Sequence, residues 1–223
     1  MEFFQYGETE TNYLKSRDKK LGEVIDTLGH INREVHPDLF SALVNSIIGQ
    51  QISTKAQITI WNRLKDQVGQ ITPETIEQTG TDRLQSIGIS FRKIQYIQSA
   101  AREVLNGNLD LEGLHLLPDD EVCRQLVKLP GVGVWTAEML MTFSMQRPDI
   151  VSFGDLAILR GMRMLYHHRA ITPELFHRYR KRYSPYGTVA SLYLWAVAGG
   201  AIEGMKDYAP KKQSGPKSKR NSV

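Results

Sequence analysis

The stretch Lys128–Met139, "KLPGVGVWTAEM", decides how the chain is read. Pro130-Gly131 and Gly131-x-Gly133 are breakers, and they separate two runs patterned like helices. A turn of this kind has two readings. It can be a tight corner and nothing more. It can also be a helix–hairpin–helix, in which the glycines let another backbone approach closely and the amides opening the second helix point outward. Such amides form an anion site that grips a phosphate without reading bases. The residues on either side have to decide between the two.

Outward from the turn, nearly every segment carries a helical period. "YLKSRDKKLGEVIDTLG" reads as one helix with Leu14, Leu21, Val24, Ile25 and Leu28 on a face. "DLFSALVNSIIGQ" repeats the pattern, and Ser53 caps "TKAQITIWNRLKDQVG". Thr72-Pro73 and Thr172-Pro173 each set a cap before a proline at the first helical position, and Thr81 and Ser90 read as further caps. "FRKIQYIQSAAREVLNG" ends on Asn106-Gly107, and "SPYGTVASLYLWAVAGGAI" is a strongly apolar closing helix. No alternating strand pattern runs for more than a few residues. The expectation is an all-α fold of roughly ten helices, arranged in two lobes over residues 1–205, with residues 206–223 as a basic disordered tail.

Charge supports this division. The whole chain is +4, yet residues 206–223 hold six Lys/Arg and one Asp, which leaves 22 basic against 23 acidic residues in the remainder. A nucleic-acid reading therefore has to come from local arrangement and not from bulk charge. No apolar run is long enough for a membrane span, and the first residues lack the basic start and apolar core of a secretory signal. The single cysteine, Cys123, cannot supply a four-cysteine zinc or iron–sulfur site, so no cofactor is expected. The six histidines lack metal spacing, and no catalytic metal is assigned.

Three features lie around the hairpin. Asp155, in "VSFGDLAILRG", opens an apolar helix and reads as an N-cap. It also follows Gly133 by one helix and a return loop, so its carboxylate can swing back beside the turn. A carboxylate near a phosphate grip is useful where a cation must be stabilised, as in glycosidic cleavage with its oxocarbenium-like sugar. Trp135 and Trp195 are either core residues or stacking walls for an extruded base. Gln50 and Gln51, in "IIGQQISTKA", are either solvated corner residues or groups that enter a duplex where a base has left.

Together these residues resemble the helix–hairpin–helix superfamily of DNA base-excision glycosylases, within it the alkylated-base (3-methyladenine) branch. The resemblance spans about residues 10–204 and rests on "FSALVNSIIGQQISTKA", "IGISFRKIQYIQSAA", "LPGVGVWTAEM", "VSFGDLAILRG" and "YSPYGTVASLYLW", in that order. It implies a DNA and base cleft between the lobes and Asp155 as the catalytic aspartate. Trp135, Trp195 and Met139 would line the base pocket. Leu129, Gly131, Gly133, Val134 and Thr136 would hold DNA through the hairpin backbone, with a monovalent cation at the Leu129 and Gly131 carbonyls. Gln51 would fill the gap left by the flipped nucleotide, with Gln50 and Ser53 beside it. Relatives that also cut the strand carry a lysine where this chain has Trp135, so a monofunctional enzyme using water is implied. Met139 stands where some relatives have an aromatic residue, which leaves substrate breadth open.

The expected partner is double-stranded DNA bearing an alkylated base, met by a monomer with no membrane role. The alternatives are a uracil or mismatched-thymine glycosylase, a non-enzymatic DNA-binding hairpin protein, and a helical interaction scaffold. The expected place is cytoplasmic, at the nucleoid, in a bacterial source and nuclear in a eukaryotic one.

Overall fold

The structure is a computed structural model and describes residues 2–210. Among them are twelve α-helices: α1 (Glu8–Arg17), α2 (Lys19–Leu28), α3 (Leu39–Gly49), α4 (Thr54–Val68), α5 (Pro73–Thr79), α6 (Thr81–Ser86), α7 (Phe91–Leu105), α8 (Asp119–Leu126), α9 (Val134–Phe143), α10 (Leu156–Tyr166), α11 (Pro173–Tyr183) and α12 (Gly187–Ala198). A 3₁₀ turn at Gly113–Leu116 precedes α8. Two-residue strands β1 (Glu2–Phe3) and β2 (Glu34–Val35) pair antiparallel, with Glu2 opposite Val35.

The all-α reading holds, with two additions. The small β pairing is one. The other is a break in the first amphipathic run. Asp18 leaves the helical region (φ −145°, ψ 103°), ends α1, and accepts from Leu21 N–H at 3.0 Å to start α2. Its second carboxylate oxygen receives Arg182 from α11 at 3.1 Å. A periodic apolar pattern spans such a break because the face resumes on the far side. Only the cap at Asp18 marks the corner. Thr81 is also placed differently: Gly80 takes the N-cap position of α6, and Thr81 is its first residue.

Two apolar cores divide the molecule. One gathers α3 to α9, centred on Leu43, Ile47, Leu64, Ile76, Leu84, Ile94, Ile97 and Leu126. The other gathers α1 and α2 with α10 to α12, around Leu14, Leu21, Ile158, Met162, Tyr183, Tyr193 and Leu194. The chain enters and leaves through the second lobe, so the lobes are interleaved. α10 and α12 lie almost backbone to backbone: a Cβ at Gly161 would sit 2.2 Å from the Leu194 carbonyl oxygen.

Residues 144–155 cross between the cores and are stitched to the start of α12. Asp149 Oδ1 accepts from Gly187 N–H at 3.0 Å, and its Oδ2 accepts from Ser184 Oγ at 2.6 Å. Thr188 Oγ1 donates to the Arg147 carbonyl at 2.5 Å and accepts from Ile150 N–H at 2.9 Å. Ser191 Oγ donates to the Ile150 carbonyl at 2.9 Å. The crossover is thus fixed to a helix end whose free amides need partners. Of the basic tail, residues 206–210 lie against the second lobe through Asp207, which accepts from Arg163 Nε and Nη2 at 2.7 Å each. Residues 211–223, on which the rest of the disordered-tail expectation falls, lie outside the described residues.

The close α10–α12 approach leaves no room for a methyl. Gly161→Ala is expected to destabilise the protein by about 2–3 kcal/mol. The check is a urea midpoint that falls while the slope of the transition stays constant.

Candidate active site at the lobe seam

The hairpin lies between α8 and α9. Gly131 has φ +83°, and a Cβ there would lie 2.3 Å from Cδ2 of Tyr96, so glycine is required on two counts. Gly133 differs. Its φ is −93°, as N-cap of α9, and open space surrounds the position of its absent Cβ. Its lack of a side chain therefore serves access and not conformation. The ladder of α9 begins where Ala137 N–H meets the Gly133 carbonyl at 3.0 Å. That leaves the amides of Val134, Trp135 and Thr136 as the free N-terminal donors of the helix. Leu129 and Thr136 are buried, so only their main chain remains for the roles expected of them, whereas Val134 is exposed.

The Gln50–Ser53 corner packs against this turn. Gln50 Nε2 donates to the Gly131 carbonyl at 2.8 Å. The amide nitrogen of Gln50, a residue expected beside the DNA, thus holds the α3–α4 corner to the hairpin. Lys93, which the sequence pattern left unmarked, donates to the carbonyls of Ile48 at 2.7 Å and Gln50 at 2.6 Å. It closes the C-terminus of α3, where a cation and a donor are both favoured, and burial lowers its ammonium from the ordinary value. Gln51 is left at the tip, exposed, with φ +57°. A non-glycine residue there costs about 1–2 kcal/mol of backbone strain. Ser53 is exposed and caps α4 through Ala56 N–H at 3.3 Å.

Asp155 is 7% exposed; it caps α10, and its carboxylate also swings back to the start of α9. As N-cap of α10, its Oδ1 accepts from Ala157 N–H at 2.8 Å and Ile158 N–H at 3.0 Å. Its Oδ2 accepts from the Trp135 indole Nε1–H at 2.9 Å. The carboxyl thus takes three donors, from two helices of different lobes, which suits a fixed carboxylate. Trp135 is 47% exposed, so its ring is not a core residue and has a free face. Exposed Phe153 and Leu156 flank it, giving the carboxylate an apolar rim.

Trp135, Met139 and Phe143 fall at i, i+4 and i+8 on α9 and form one stripe about 12 Å long at 1.5 Å per residue. Met139 is half-buried in the middle of it. Trp195 joins at the far end, its ring 5.5 Å from that of Phe143, centre to centre, and partly buried against the second core. The Arg33 guanidinium lies over the other part of Phe143, 4.8 Å from the ring centre. Phe143 and Arg33 escaped the sequence reading. Phe143 has the i+4 spacing from Met139 that would have found it. Arg33 lies far away in the chain and carries no such signal.

Glu138 was also missed. It sits one turn after Trp135, and its Oε2 is buried without a hydrogen-bond partner among the described residues, as is the Ser152 hydroxyl. Burial raises its carboxyl above the ordinary 4.5. The Ser152 hydroxyl and the Arg180 guanidinium pull it back, and the charge of Asp155 pushes it up again. The two carbonyls of the hairpin, Leu129 and Gly131, each accept one bond, from Val132 N–H at 3.1 Å and from Gln50. Each keeps a second lone pair, and a set of main-chain carbonyls suits a hard monovalent cation. No group of three or more His, Cys, Asp or Glu able to hold a metal occurs among the described residues.

Comparison with known proteins gives a consistent result. A family model described as "HhH-GPD superfamily base excision DNA repair protein" matches residues 44–185. The chain is 29% identical over 208 residues to DNA-3-methyladenine glycosylase 1 of Schizosaccharomyces pombe, covering 90% of this chain and 91% of that one. A solved structure of a DNA-3-methyladenine glycosidase from Bacillus halodurans superposes with a TM-score of 0.84 at 35% identity, over 92% of this chain and 96% of that one. The S. pombe 3-methyladenine DNA glycosylase in complex with abasic DNA gives a TM-score of 0.72 at 28% identity, over 84% and 95% of the two chains.

A raised Glu138 means that the folded state holds this proton more tightly than the unfolded state. Its contribution to stability therefore declines as pH rises from about 4.5 through the raised value. Glu138→Gln, which keeps the shape and cannot ionise, should melt higher than the parent near pH 8, and the gap should close as pH falls toward 4.5. Thermal melts of both proteins across that range check this.

Proposed function

The chain belongs to the HhH-GPD superfamily of base excision DNA repair proteins, and from that premise we propose that it is a monofunctional glycosylase. It flips an alkylated purine of the 3-methyladenine or 7-methylguanine type out of duplex DNA and hydrolyses its N-glycosidic bond to leave an abasic site. The observation that carries the reading is the Asp155 carboxylate, held by Trp135 and the start of α10 beside a hairpin with free amides. Relatives named as 3-methyladenine glycosylases support the substrate class. The complex of one of them with abasic DNA supports DNA as the partner.

The steps follow from the chemistry of the groups. The amides of Val134 to Thr136 and the open backbone at Gly133 take a phosphate of the lesion strand. Leu129 and Gly131 would hold a monovalent cation by their carbonyls, adding positive charge next to that phosphate. Gln51, strained and exposed at the tip of the α3–α4 corner, enters the space of the flipped nucleotide. Flipping costs a few kcal/mol, least where pairing is already damaged.

An N3- or N7-alkylated purine is cationic and leaves as a neutral base, so the leaving group needs little protonation. The demand falls on the sugar, which becomes positive as the bond breaks. Asp155 stabilises that charge and orients or deprotonates the attacking water. One preorganised group of this kind contributes about 3–4 kcal/mol. The exposed face of Trp135, with Met139 and Trp195 further along the stripe, favours an electron-poor ring by a cation–π term of about 1–2 kcal/mol where desolvated. The same residue occupies the position of the strand-cutting lysine of other relatives, so no Schiff base forms and water is the nucleophile.

Base release from duplexes carrying 3-methyladenine, 7-methylguanine, hypoxanthine or uracil tests the assignment. The methylated purines should be released. Asp155→Asn should bind lesion DNA within about 3-fold of the parent and lose about 10²–10³ in single-turnover rate. Undiminished excision by that variant sinks the role given to Asp155.

A further inference from the structure

Glu138 is a costly residue with no structural return. The residue is half-buried, and its Oε2 is buried with no hydrogen bond of normal geometry among the described residues, although the Ser152 hydroxyl lies near enough to favour its charged form. A buried carboxyl without a partner destabilises a fold, and such groups concentrate where charge is used. Its setting is the reacting seam. It stands one turn after Trp135, whose indole holds Asp155. Gly154 packs beneath both: a Cβ there would lie 3.7 Å from Trp135 Cβ and 3.7 Å from Ser152 Oγ, so the face of α9 and the loop carrying Asp155 touch without intervening side chains.

The groups around it are few. Arg180 of α11 is the nearest counter-charge, but its Nη2 is directed to the Asp149 carbonyl at 3.4 Å. Asp155 faces Glu138 from α10 and Cys123 from α8, whose thiol is pushed up by burial and then by the Glu138 charge. α3 also packs on α9 and contributes no titratable side chain from Leu39–Gly49.

We propose that Glu138 is a second carboxylate of the site, a positioning residue that deepens the negative field at the sugar through Asp155 without touching the substrate. The inference rests on the glycosylase reading above and adds a source of oxocarbenium stabilisation to it. Two carboxylates in a partly buried seam act on each other more strongly than in bulk water, and the Asp155 charge is among the causes that raise the Glu138 carboxyl. The carboxyl that is costly in the free protein is relieved when the sugar turns positive. An arrangement of this kind favours the transition state over the ground state.

The test compares two duplexes. One carries a pyrrolidine nucleotide, whose ring is a cationic mimic of the oxocarbenium sugar. The other carries the neutral tetrahydrofuran abasic analogue. The ratio of their Kd values reads the field at the sugar without turnover. For the wild type, preference for the cationic ring should rise about 10-fold as pH increases from 4.5 through the raised value of the Glu138 carboxyl. Glu138→Gln should keep tetrahydrofuran affinity and lose most of that rise. Glu138→Asp, which retains the charge, should keep it, and melting curves confirm that all three proteins are folded.

A Glu138→Gln ratio that climbs as the wild type's does overturns the inference and leaves Asp155 its role. A wild-type ratio that prefers the cationic ring but does not change with pH overturns it also. Equal wild-type affinity for both duplexes at every pH overturns the glycosylase reading and this inference together.

Discussion

The Asp155 carboxylate joins the two lobes, with two hydrogen bonds to its own helix and one across the seam, and the site depends on that joint. Two donors come from the first turn of α10, which is rooted in the second core, and one comes from Trp135 at the start of α9, rooted in the first. Asp155 would swing with α10 if the crossover before it were loose. The crossover is not loose, because Asp149, Thr188 and Ser191 bind residues 147–150 to the N-terminus of α12. α12 in turn lies against α10 at the distance Gly161 allows. A chain of short-range contacts therefore runs from the helix packing of the second lobe to the position of one oxygen atom.

Features that lower stability gather at the same seam. Gln51 holds a left-handed backbone, Trp135 and Leu156 expose apolar surface, and Glu138 buries a carboxyl without a partner. Elsewhere the cores follow the ordinary rules of capped helices and close apolar packing. Local departures from consistency mark the places where a protein binds or reacts. Here they converge on Gln51 at the α3–α4 corner, the start of α9 and the start of α10.

Much of this was legible in the sequence. The 3.6-residue period gave the helices, and the Pro-Gly-x-Gly turn gave the hairpin. Asp155 reads as a cap and also as a carboxylate lying beside the turn, and the two are one arrangement: capping fixes Oδ1 and leaves Oδ2 for Trp135. What escaped the reading was set by tertiary contact. The break at Asp18 hides because the apolar face continues across it. The bond from Gln50 to Gly131 was not legible, because nothing in the neighbourhood of Gln50 points to a residue 81 positions away. Lys93 and Arg33 act on distant segments, and Glu138 sits in a motif where its neighbours drew attention first. Periodicity assigns faces of helices, but the partner of a polar atom on that face is decided by the packing.

The direct test of the joint is Trp135→Phe. It keeps an apolar wall and removes only the N–H that holds Asp155 Oδ2. The account predicts that single-turnover excision of 7-methylguanine falls about 10–100-fold while affinity for tetrahydrofuran DNA changes by less than about 3-fold, since a misplaced group costs rate and not binding. An unchanged rate would show that Asp155 is positioned without Trp135 and would contradict the claim that the carboxylate works as the tie between the lobes.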